Sequence, residues 1–487
     1  MSPDPDARRD DAALTHVQQQ AVVELVRVAP VVDELGARFA AAGFRLALVG
    51  GSVRDALLGR LGHDLDFTTD ARPDAIAKLL EGWADAIWDV GREFGTIAAR
   101  RGEYELEITT YRSEAYDPES RKPAVEYGDS LDGDLVRRDF TVNAMALTLP
   151  DHAFVDPHGG LLDLAAGQLR TPGTPESSFS DDPLRMMRAA RFASQLGFDV
   201  DPAVVEAMTA MSERIEIVSA ERVRDEIIKL VVGEFPRRGL ELLCDTGLAD
   251  HVLPELPAMK ATADEHNRHK DVYEHTLTVL DQAVALETAH EPTSPPDFVL
   301  RFGALMHDVG KPRTRRFEGS NRVTFHHHEV VGAKMTRKRM KALRFSNEEI
   351  DEVSKLVELH LRFHGYGSGE WTDAAVRRYV RDAGDQLVRL HKLTRADCTT
   401  RNLRKAQALA RTYDHLEERI EALMAQEELN SIRPDLDGAQ IMRILGIPAG
   451  PLVGEAYRFL LDVRLDRGPL PADVAEEALL AWWAARE

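Results

Sequence analysis

Residues 44–70 carry the pattern that most constrains the fold of this chain. The apolar run FRLALVGG (44–51) ends in two glycines, which predicts a buried strand followed by a tight turn. SVRDALLGR (52–60) predicts a helix with Ser52 as its N-cap. DLDFTTD (64–70) alternates polar and apolar residues as a half-buried strand does. A strand, a turn, a helix and a second strand therefore follow each other closely in this region.

The rest of the chain has two textures. TIAARR (96–101) and YELEITTYR (104–112) continue the strand pattern, and FTVNAMALTL (140–149) predicts a last strand or helix. Past about residue 170, amphipathic helical patterns dominate to the C-terminus. These patterns include 183–196, 220–232 and 272–288. The sequence predicts an α+β protein, with a mixed sheet and flanking helices first and an all-α remainder.

Asp64 and Asp66 are candidate metal ligands in the second predicted strand. Side chains of a strand alternate between its faces, so two aspartates separated by one residue project from the same face. Two hard oxygen ligands suit Mg²⁺ when substrate phosphates supply further ligands. Such a metal neutralises triphosphate charge and lowers the pKa of an attacking hydroxyl. Taken alone, the pair also fits two solvated strand acids.

The glycine turn and the helix that follows it suit a phosphate. Gly50 and Gly51 let the backbone approach a phosphate closely, and the helix N-terminus offers free N–H groups. Arg54 lies one turn into the helix, where it can hold a triphosphate. The combination of this turn with the two aspartates is far more specific than either feature alone.

GGSVRDALLG (50–59) and HDLDFTT (63–69) together resemble the signature of the bacterial CCA-adding enzyme and poly(A) polymerase family. That family is class II of the polymerase-β-like superfamily, and the resemblance extends through at least residues 40–260. It implies that Asp64 and Asp66 bind the catalytic Mg²⁺. It also implies that Gly51 and Arg54 contact the nucleotide.

LVRRDFTVNA (135–144) resembles a second motif of the same family. The resemblance implies that Arg138 contacts the nucleotide. It places Asp139 and Asn143 at positions linked to ribose recognition or to a further catalytic carboxylate. An Asp and an Asn can hydrogen-bond ribose hydroxyls. The structural alternative for Asp139 is a helix cap or an ion pair with Arg137.

DDPLRMMRAARFASQLGF (181–198) resembles the family motif that reads the base, with Asp181 where the family usually has Glu. Asp182 and Arg185 match the base-reading residues and lie three apart on a predicted helix. ATP and CTP both present an amino donor beside a ring-nitrogen acceptor, whereas UTP and GTP present the reverse pattern. A carboxylate and a guanidinium therefore accept the first pair and leave both protein groups mismatched with the second.

Two further arginines follow on the same predicted helix. Arg188 and Arg191 lie at three-residue spacing and match phosphate- and nucleotide-contacting positions of the family. The structural alternative is a basic face exposed to solvent.

A second constellation lies in the C-terminal half and resembles the HD metal-dependent phosphohydrolase domain. The resemblance implies that a divalent metal is bound by His275, His307, Asp308 and Asp397. His328 and His360 match positions that hold a second metal or a phosphate. Mixed nitrogen and oxygen ligands suit a divalent transition metal better than Mg²⁺. The alternative is a domain that keeps its ligands as a structural relic.

The motifs and textures together predict a division of the chain. We expect a disordered N-terminus over 1–20 and a nucleotidyltransferase head over 21–170. A helical neck that binds the base and RNA follows over 171–258. An HD domain over 259–402 and a helical, tRNA-binding tail over 403–487 complete the chain.

Charge and composition limit the protein classes. The net charge of −21 opposes nonspecific nucleic-acid binding by the whole protein. A local cluster of six cations over 334–344 fits either a solvated helix face or an RNA-backbone contact. No long apolar run indicates a membrane span or a secretory signal. Two distant cysteines, Cys244 and Cys398, suit a reducing cytoplasm.

The leading functional prediction is CCA addition to tRNA 3′ ends from CTP and ATP. GREFGTIAAR (91–100) resembles the connector of CCA-adding enzymes, and the chain lacks the basic tail typical of poly(A) polymerases in this family. Poly(A) polymerase, A-only or CC-only addition, and an HD phosphohydrolase with an RNA-binding head are the alternatives. No sequence feature specifies an oligomeric state.

Overall fold

The computed structural model describes residues 27–28, 30–89, 91–115, 124–128, 130–260, 262, 271–318, 322–363, 371–400, 402–427 and 433–486. The predicted disordered segment 1–20 lies outside these residues. The chain divides into two compact units, Met1–Pro254 and Glu255–Glu487. Among the described residues, no helix combines the length and the apolar character that a bilayer crossing requires.

The first unit contains a mixed sheet that includes the strands on either side of the glycine turn. The strands of this unit are β1 (Leu46–Val49), β2 (Asp64–Thr69), β3 (Ala86–Trp88), β4 (Thr96–Arg101), β5 (Tyr104–Thr110), β6 (Arg112–Ala115), β7 (Ala124–Tyr127), β8 (Ala146–Leu149), β9 (Phe154–Val155), β10 (Gln168–Leu169) and β11 (Asp199–Val200). The main sheet has the order β3-β4-β5-β2-β1-β8-β9. Strands β2 and β5 are parallel, whereas β1 pairs antiparallel with β2 and with β8.

Helices flank this sheet, and the later part of the first unit is mostly helical. In the first unit they are α1 (30–41), α2 (Gly51–Leu57), α3 (Pro73–Leu80), α4 (Leu131–Val136), α5 (Gly160–Ala166), α6 (Pro175–Asp181), α7 (Leu184–Leu196), α8 (Pro202–Met211), α9 (Ala220–Val231), α10 (Pro236–Asp245) and α11 (Leu248–Val252). Small apolar residues of β1 and β8 pack against Leu135 of α4. That packing fixes the segment between α4 and β8 next to the end of β1.

The second unit is almost entirely helical. Its helices are α12 (Pro257–Lys260), α13 (Val272–Ala289), α14 (Phe298–Met306), α15 (Lys311–Thr314), α16 (His328–Ala342), α17 (Asn347–Leu359), α18 (Asp373–Ala383), α19 (Leu387–Ala396), α20 (Leu403–Glu427), α21 (Gly438–Leu445), α22 (Pro451–Arg467) and α23 (Ala472–Ala484). Strand β12 (Arg316–Glu318) pairs antiparallel with β13 (Arg322–Thr324). The predicted α+β class, with a mixed-sheet head and a helical remainder, is confirmed.

Two local expectations need correction. Helix α2 begins at Gly51, so Ser52 is not its N-cap, and the Ser52 hydroxyl instead accepts a hydrogen bond from the Asp66 amide at 2.8 Å. Asp182 and Arg185 do not share a helix, because α6 ends at Asp181 and α7 begins at Leu184 after Pro183. FTVNAMALTL forms both predicted types, with a 3₁₀ turn at Thr141–Asn143 followed by β8.

Candidate active site

The turn after β1 requires glycine on two grounds. Gly50 has a φ of 67°, a left-handed value that favours glycine. A Cβ at Gly50 would lie 2.8 Å from Nη1 of Arg138. The turn therefore lets the backbone approach both Arg138 and the carboxylate of Asp66, whose Oδ2 would lie 3.7 Å from the same Cβ.

Three carboxylates share one face of the sheet. Asp64 and Asp66 lie on β2, and Glu107 on β5 is directly opposite Asp66 in the parallel register. Burial, helped by the negative charges of Glu107 and Asp64 and opposed by Arg138 and Arg54, raises the pKa of Asp66 to about 6. Excess negative charge of this kind fits a divalent cation with oxygen ligands.

Sequence reasoning missed Glu107. The alternation of YELEITT already placed Glu105 and Glu107 on one face of a strand, but only the pairing of β5 with β2 brings Glu107 to the two aspartates.

A chain of hydrogen bonds joins the helix after the turn to the second motif. Arg54 donates to Asn143 Oδ1 at 2.6 Å, and Asn143 Nδ2 donates to Asp139 Oδ1 at 2.9 Å. Arg188 Nε donates to the other oxygen of Asp139 at 2.7 Å. Burial alone would raise the pKa of Asp139, but Arg188 and Asn143 hold that pKa below its usual range. Asp139 therefore pairs with Arg188, and the expected alternative partner Arg137 pairs elsewhere.

Asp134 is a second residue that sequence reasoning missed. Its buried carboxylate accepts from Arg137 at 2.6 Å and from Arg138 at 2.9 Å. These arginines keep the pKa of Asp134 low despite the opposing effect of burial. Ser130 caps α4 by accepting from the Gly133 amide, so the helix that carries Asp134 begins at a defined residue. Asp134 thereby holds Arg138 over the glycine turn.

The predicted base-reading residues are both held by protein groups. Asp182 Oδ1 accepts from the Leu184 amide at 3.0 Å, and its Oδ2 accepts from Arg222 at 2.7 Å. Arg185 donates to Ser178 Oγ at 3.0 Å and to the Arg137 carbonyl at 2.5 Å. Although they do not share a helix, both side chains border the same cleft.

Three arginines of the site lie close to the ring of Phe192. The guanidinium carbons of Arg191, Arg54 and Arg188 lie 4.3, 5.2 and 5.5 Å from the centre of its ring. Arg191 also pairs with Glu226 of α9 at 3.3 Å. Burial, followed by the nearby charge of Arg188, lowers the pKa of Arg191 to about 10. A cluster of cations this close favours a polyanionic ligand.

One cleft of about 890 Å³ lies in the first unit, and Asp134 and Glu226 support it from outside its lining. It brings together every residue predicted for this site: Gly50, Gly51, Arg54, Asp64, Asp66, Arg138, Asp139, Asn143, Asp182, Arg185, Arg188 and Arg191. Glu107, Phe192, Arg222 and Lys229 also line it, and none of these four was predicted. Carboxylates lie towards β2 and β5, and arginines come from α2, α7 and the segment after α4.

The predicted metal ligands of the second unit also converge. His275 Nε2 lies 3.0 Å from Asp397 Oδ1, and His307 and His328 place Nε2 3.2 Å from the two oxygens of Asp308. Their ligand atoms form two groups, each within 4.8 Å: His275, His307 and Asp397, and then Asp308, His328 and His360. Lys311 contacts Asp308 at 2.8 Å.

The histidine tautomers are set by the backbone. Nδ1 of His307, His328 and His360 donates to the carbonyls of Ala304, Phe325 and Val357 at 2.7, 2.9 and 2.7 Å. Within the described part of the chain, no hydrogen bond of normal geometry reaches the three buried Nε2 atoms, although those of His307 and His328 lie 3.2 Å from the oxygens of Asp308. Buried, unpartnered nitrogens aimed at carboxylates fit a metal centre, because metal-bound histidines commonly donate their other N–H in this way.

The basic cluster of the sequence lies on and just beyond α16. Arg337 pairs with Asp351, and Arg339 pairs with Glu255 at 2.9 Å. Lys334, Lys338 and Lys341 are exposed. The pairing of two arginines fits a solvated helix face, and the RNA contact stays a prediction.

Comparison with known proteins matches the regions that contain the cleft and the histidine cluster to known families. Residues 46–170 match the poly A polymerase head domain, 197–259 match the probable RNA and SrmB- binding site of polymerase A, and 272–402 match the HD domain. The A-adding tRNA nucleotidyltransferase of Deinococcus radiodurans is 33% identical over 431 residues, which cover 86% of this chain and 91% of that protein. The CCA-adding enzyme of Levilactobacillus brevis is 43% identical over 208 residues, 42% of this chain and 51% of that protein.

This match covers about half the length of the CCA-adding relative. The Bacillus stearothermophilus CCA-adding enzyme in complex with CTP has the same fold, with a TM-score of 0.66 at 24% identity over 93% of this chain and 98% of that one. The sheet, the carboxylates and the histidine cluster define a divalent-metal-dependent nucleotidyltransferase with an HD domain. The chain belongs to the tRNA nucleotidyltransferase family, whose head domain is shared with poly(A) polymerases.

Proposed function

We propose that this enzyme adds CMP and AMP from CTP and ATP to tRNA 3′ ends and so builds CCA. One observation carries the proposal: a single cleft gathers the three carboxylates, the arginines and the paired Asp182 and Arg185. One relative named above is a tRNA nucleotidyltransferase, the other is a CCA-adding enzyme, and one related structure holds CTP. Template-independent choice of A and C needs protein groups that read the base, and this cleft supplies two.

Asp64, Asp66 and Glu107 would hold Mg²⁺. When bound, Mg²⁺ supplies charge neutralisation on the triphosphate and lowers the pKa of the attacking 3′ hydroxyl. The protein contributes position: Ser52 accepts from the Asp66 amide and fixes the strand that carries both aspartates.

The arginines would bind the triphosphate, and Asp139 with Asn143 would bind the ribose. Arg54, Arg138, Arg188 and Arg191 all border the cleft, beside the glycine turn that admits a phosphate. Asp139 and Asn143 are already joined by a hydrogen bond, so their orientation is fixed before the ribose arrives.

Asp182 and Arg185 would read the base. An ionised carboxylate only accepts hydrogen bonds and a guanidinium only donates them. This pair is complementary to the amino group and ring nitrogen shared by adenine and cytosine. Uracil and guanine place a carbonyl against the acid and an N–H against the arginine.

Addition of A alone is the second candidate. The observation that favours it is the relative matched over 86% of this chain, which is an A-adding enzyme. The CCA-adding relative named above is matched over 42% of this chain.

One experiment separates these candidates. The full chain is incubated with Mg²⁺ and tRNA transcripts that end before CCA, after C or after CC, with CTP, ATP or both. CCA addition extends all three transcripts to one length, whereas A addition extends only the CC transcript. A long tail from ATP alone would identify a poly(A) polymerase. Absence of incorporation on every transcript would overturn the proposal.

The histidine cluster supports a second activity. We propose that it binds one or two divalent transition-metal ions and hydrolyses phosphate esters. The support is chemical: imidazole nitrogens with carboxylates suit Mn²⁺, Ni²⁺, Fe²⁺ or Zn²⁺, and the unpartnered Nε2 atoms fit such ions.

We also propose a cytoplasmic location and keep the predicted domain limits of 21–170, 171–258, 259–402 and 403–487. The location rests on two cysteines that fall in different units. The limits rest on the change from sheet to helix and on the matched family ranges.

A further inference from the structure

The carboxylate of Asp182 is held at both oxygens before any nucleotide arrives. Oδ1 accepts from the Leu184 amide at 3.0 Å, a contact within its own turn. Oδ2 accepts from Nη2 of Arg222 at 2.7 Å, a contact that spans 40 residues of sequence. A carboxylate has about four lone-pair positions, so two held oxygens still leave acceptor capacity towards the cleft.

Arg222 is poorly placed for a purely stabilising role. Its side chain is 53% exposed, whereas that of Asp182 is 16% exposed. A salt bridge with one solvated partner adds little to folding stability. Arg222 nevertheless borders the same cleft as the carboxylates and the arginines.

Helix α9 presents a second contact one turn further on. Glu226 follows Arg222 by four residues, so the two side chains share a face of the helix. Glu226 pairs with Arg191 of α7 at 3.3 Å. Val223, Ile227 and Leu230 of the same helix are buried, and their packing fixes the position of α9. One helix face thus holds both a proposed base-reading acid and a proposed phosphate-binding arginine.

We propose that Arg222 is a positioning residue for base selection. It acts through Asp182, whose carboxylate it locks in the orientation that accepts the amino group of adenine or cytosine. Without Arg222 the carboxylate can rotate about its side-chain bonds and turn away from the carbonyl of uracil or guanine. Discrimination then falls, because the mismatch no longer leaves a fixed acceptor facing an acceptor. This inference rests on the proposed function.

The ratio of kcat/KM between nucleotides distinguishes this role from a purely structural one, which would lower kcat/KM for all nucleotides equally. We expect Arg222→Ala to lower the ratio of kcat/KM for CTP over UTP roughly ten-fold, mainly through KM. Arg222→Lys keeps a cation within reach and should restore part of the ratio. Arg224→Ala is the matched control, because Arg224 lies on the same helix and pairs with Asp225 outside the cleft. That variant should keep the wild-type ratio.

A double-mutant cycle tests whether Arg222 acts through Asp182. In an Asp182→Ala background, removal of Arg222 should leave selectivity unchanged, since the carboxylate that it positions is gone. Equal loss for all four nucleotides, with or without a lower Tm, would overturn the proposal in favour of a phosphate contact or a fold effect. Additive effects in the double variant would overturn it as well. If the wild type itself shows no preference for CTP and ATP, the proposed function fails. If the wild type is selective and Arg222→Ala is equally selective, this inference fails alone.

Discussion

The cleft of the first unit and the histidine cluster of the second satisfy their polar groups in opposite ways. In the cleft, Arg54, Asn143, Asp139 and Arg188 bind each other in a continuous chain, and most of the charge is carried by exposed or half-buried side chains. In the cluster, the Nδ1 atoms of His307, His328 and His360 donate to backbone carbonyls, and their buried Nε2 atoms have no hydrogen-bond partner among the described residues. Protein groups that pair with each other can exchange partners when a charged substrate enters. Buried nitrogens with no partner fit a bound metal ion.

The two centres also differ in the atoms that they offer to a metal ion. The cleft offers three carboxylates open to solvent on one side, which suits a hard ion that is shared with substrate phosphates. The cluster offers imidazoles whose orientation is set by backbone carbonyls. The two centres should therefore respond to different metals and to different substitutions.

The largest expected effect is on the carboxylates of the cleft. Asp66→Asn or Asp64→Asn should reduce incorporation of both CMP and AMP by about 10³-fold, because each removes a metal ligand and several kcal/mol of transition-state stabilisation. Glu107→Gln should reduce both as well. Single-turnover incorporation on a CC-ended tRNA measures the effect.

Glu103→Gln is the control for those variants. Glu103 lies in the turn between β4 and β5 and contacts His63 at 3.5 Å, away from the cleft. It should keep wild-type turnover. An Asp66→Asn protein that retained more than a small fraction of turnover would refute the assignment, and loss of any hydrolytic activity in the same variant would show that the centres are coupled.

The second effect belongs to the histidine cluster. His307→Ala or Asp308→Ala should abolish hydrolysis of a cyclic nucleotide or an aryl phosphodiester, a loss of about 10²-fold or more, because metal ligands are removed. Nucleotide addition should persist. Hydrolysis is measured with Mn²⁺, Ni²⁺ or Zn²⁺ added after chelation, and bound metal is counted per chain. A folded variant that loses both activities together would contradict two separate centres.

The sequence predicted the parts of these centres that depend on local order. Strand alternation placed Asp64 and Asp66 on one face, and the motif resemblance assigned the arginines and the histidines. Glu107 was missed because its position depends on the pairing of β5 with β2. Arg222 was missed because its contact with Asp182 crosses 40 residues of sequence.

Competition for hydrogen bonds explains one wrong local prediction. Serine is a common N-cap residue, but the Ser52 hydroxyl accepts a hydrogen bond from the Asp66 amide on β2 instead. The helix starts at Gly51 without a side-chain cap.

The third effect concerns the base. Asp182→Ala removes the acceptor for the amino group of ATP and CTP and also the group that repels the carbonyl of UTP and GTP. Each lost or relieved contact should change relative kcat/KM by about 5- to 150-fold, from 1–3 kcal/mol per contact. Values of kcat/KM for four nucleotides, beside a melting curve, test this. A uniform fall with a lower Tm would mean that Asp182 only orders the turn before α7.

The smallest expected effect is on the free energy of unfolding at low pH, which we expect to differ between the two units. Burial lowers the pKa of His391 to about 4, an effect that Glu417 opposes and that Arg395 and His290 reinforce. The ring stacks on Tyr379, and its Nδ1 lies 3.5 Å from Glu417. Between pH 6.5 and 4 the unfolded chain binds a proton at this residue that the folded chain does not. The contribution of His391 to the stability of the second unit is therefore lost as the pH falls below 6.5.

In the first unit, arginines keep the pKa values of Asp134 and Asp139 low, so their contribution to stability is complete above the unfolded pKa and is not lost between pH 7.5 and 5. Over that range the wild type should lose about 2 kcal/mol more free energy of unfolding than His391→Phe, which keeps a ring and cannot take up the proton. His63→Gln, at an exposed histidine of the first unit, should follow the wild type. Urea unfolding of the chelated proteins at the two pH values measures the difference. If His391→Phe loses as much stability as the wild type, buried imidazole is not what makes the second unit sensitive to acid.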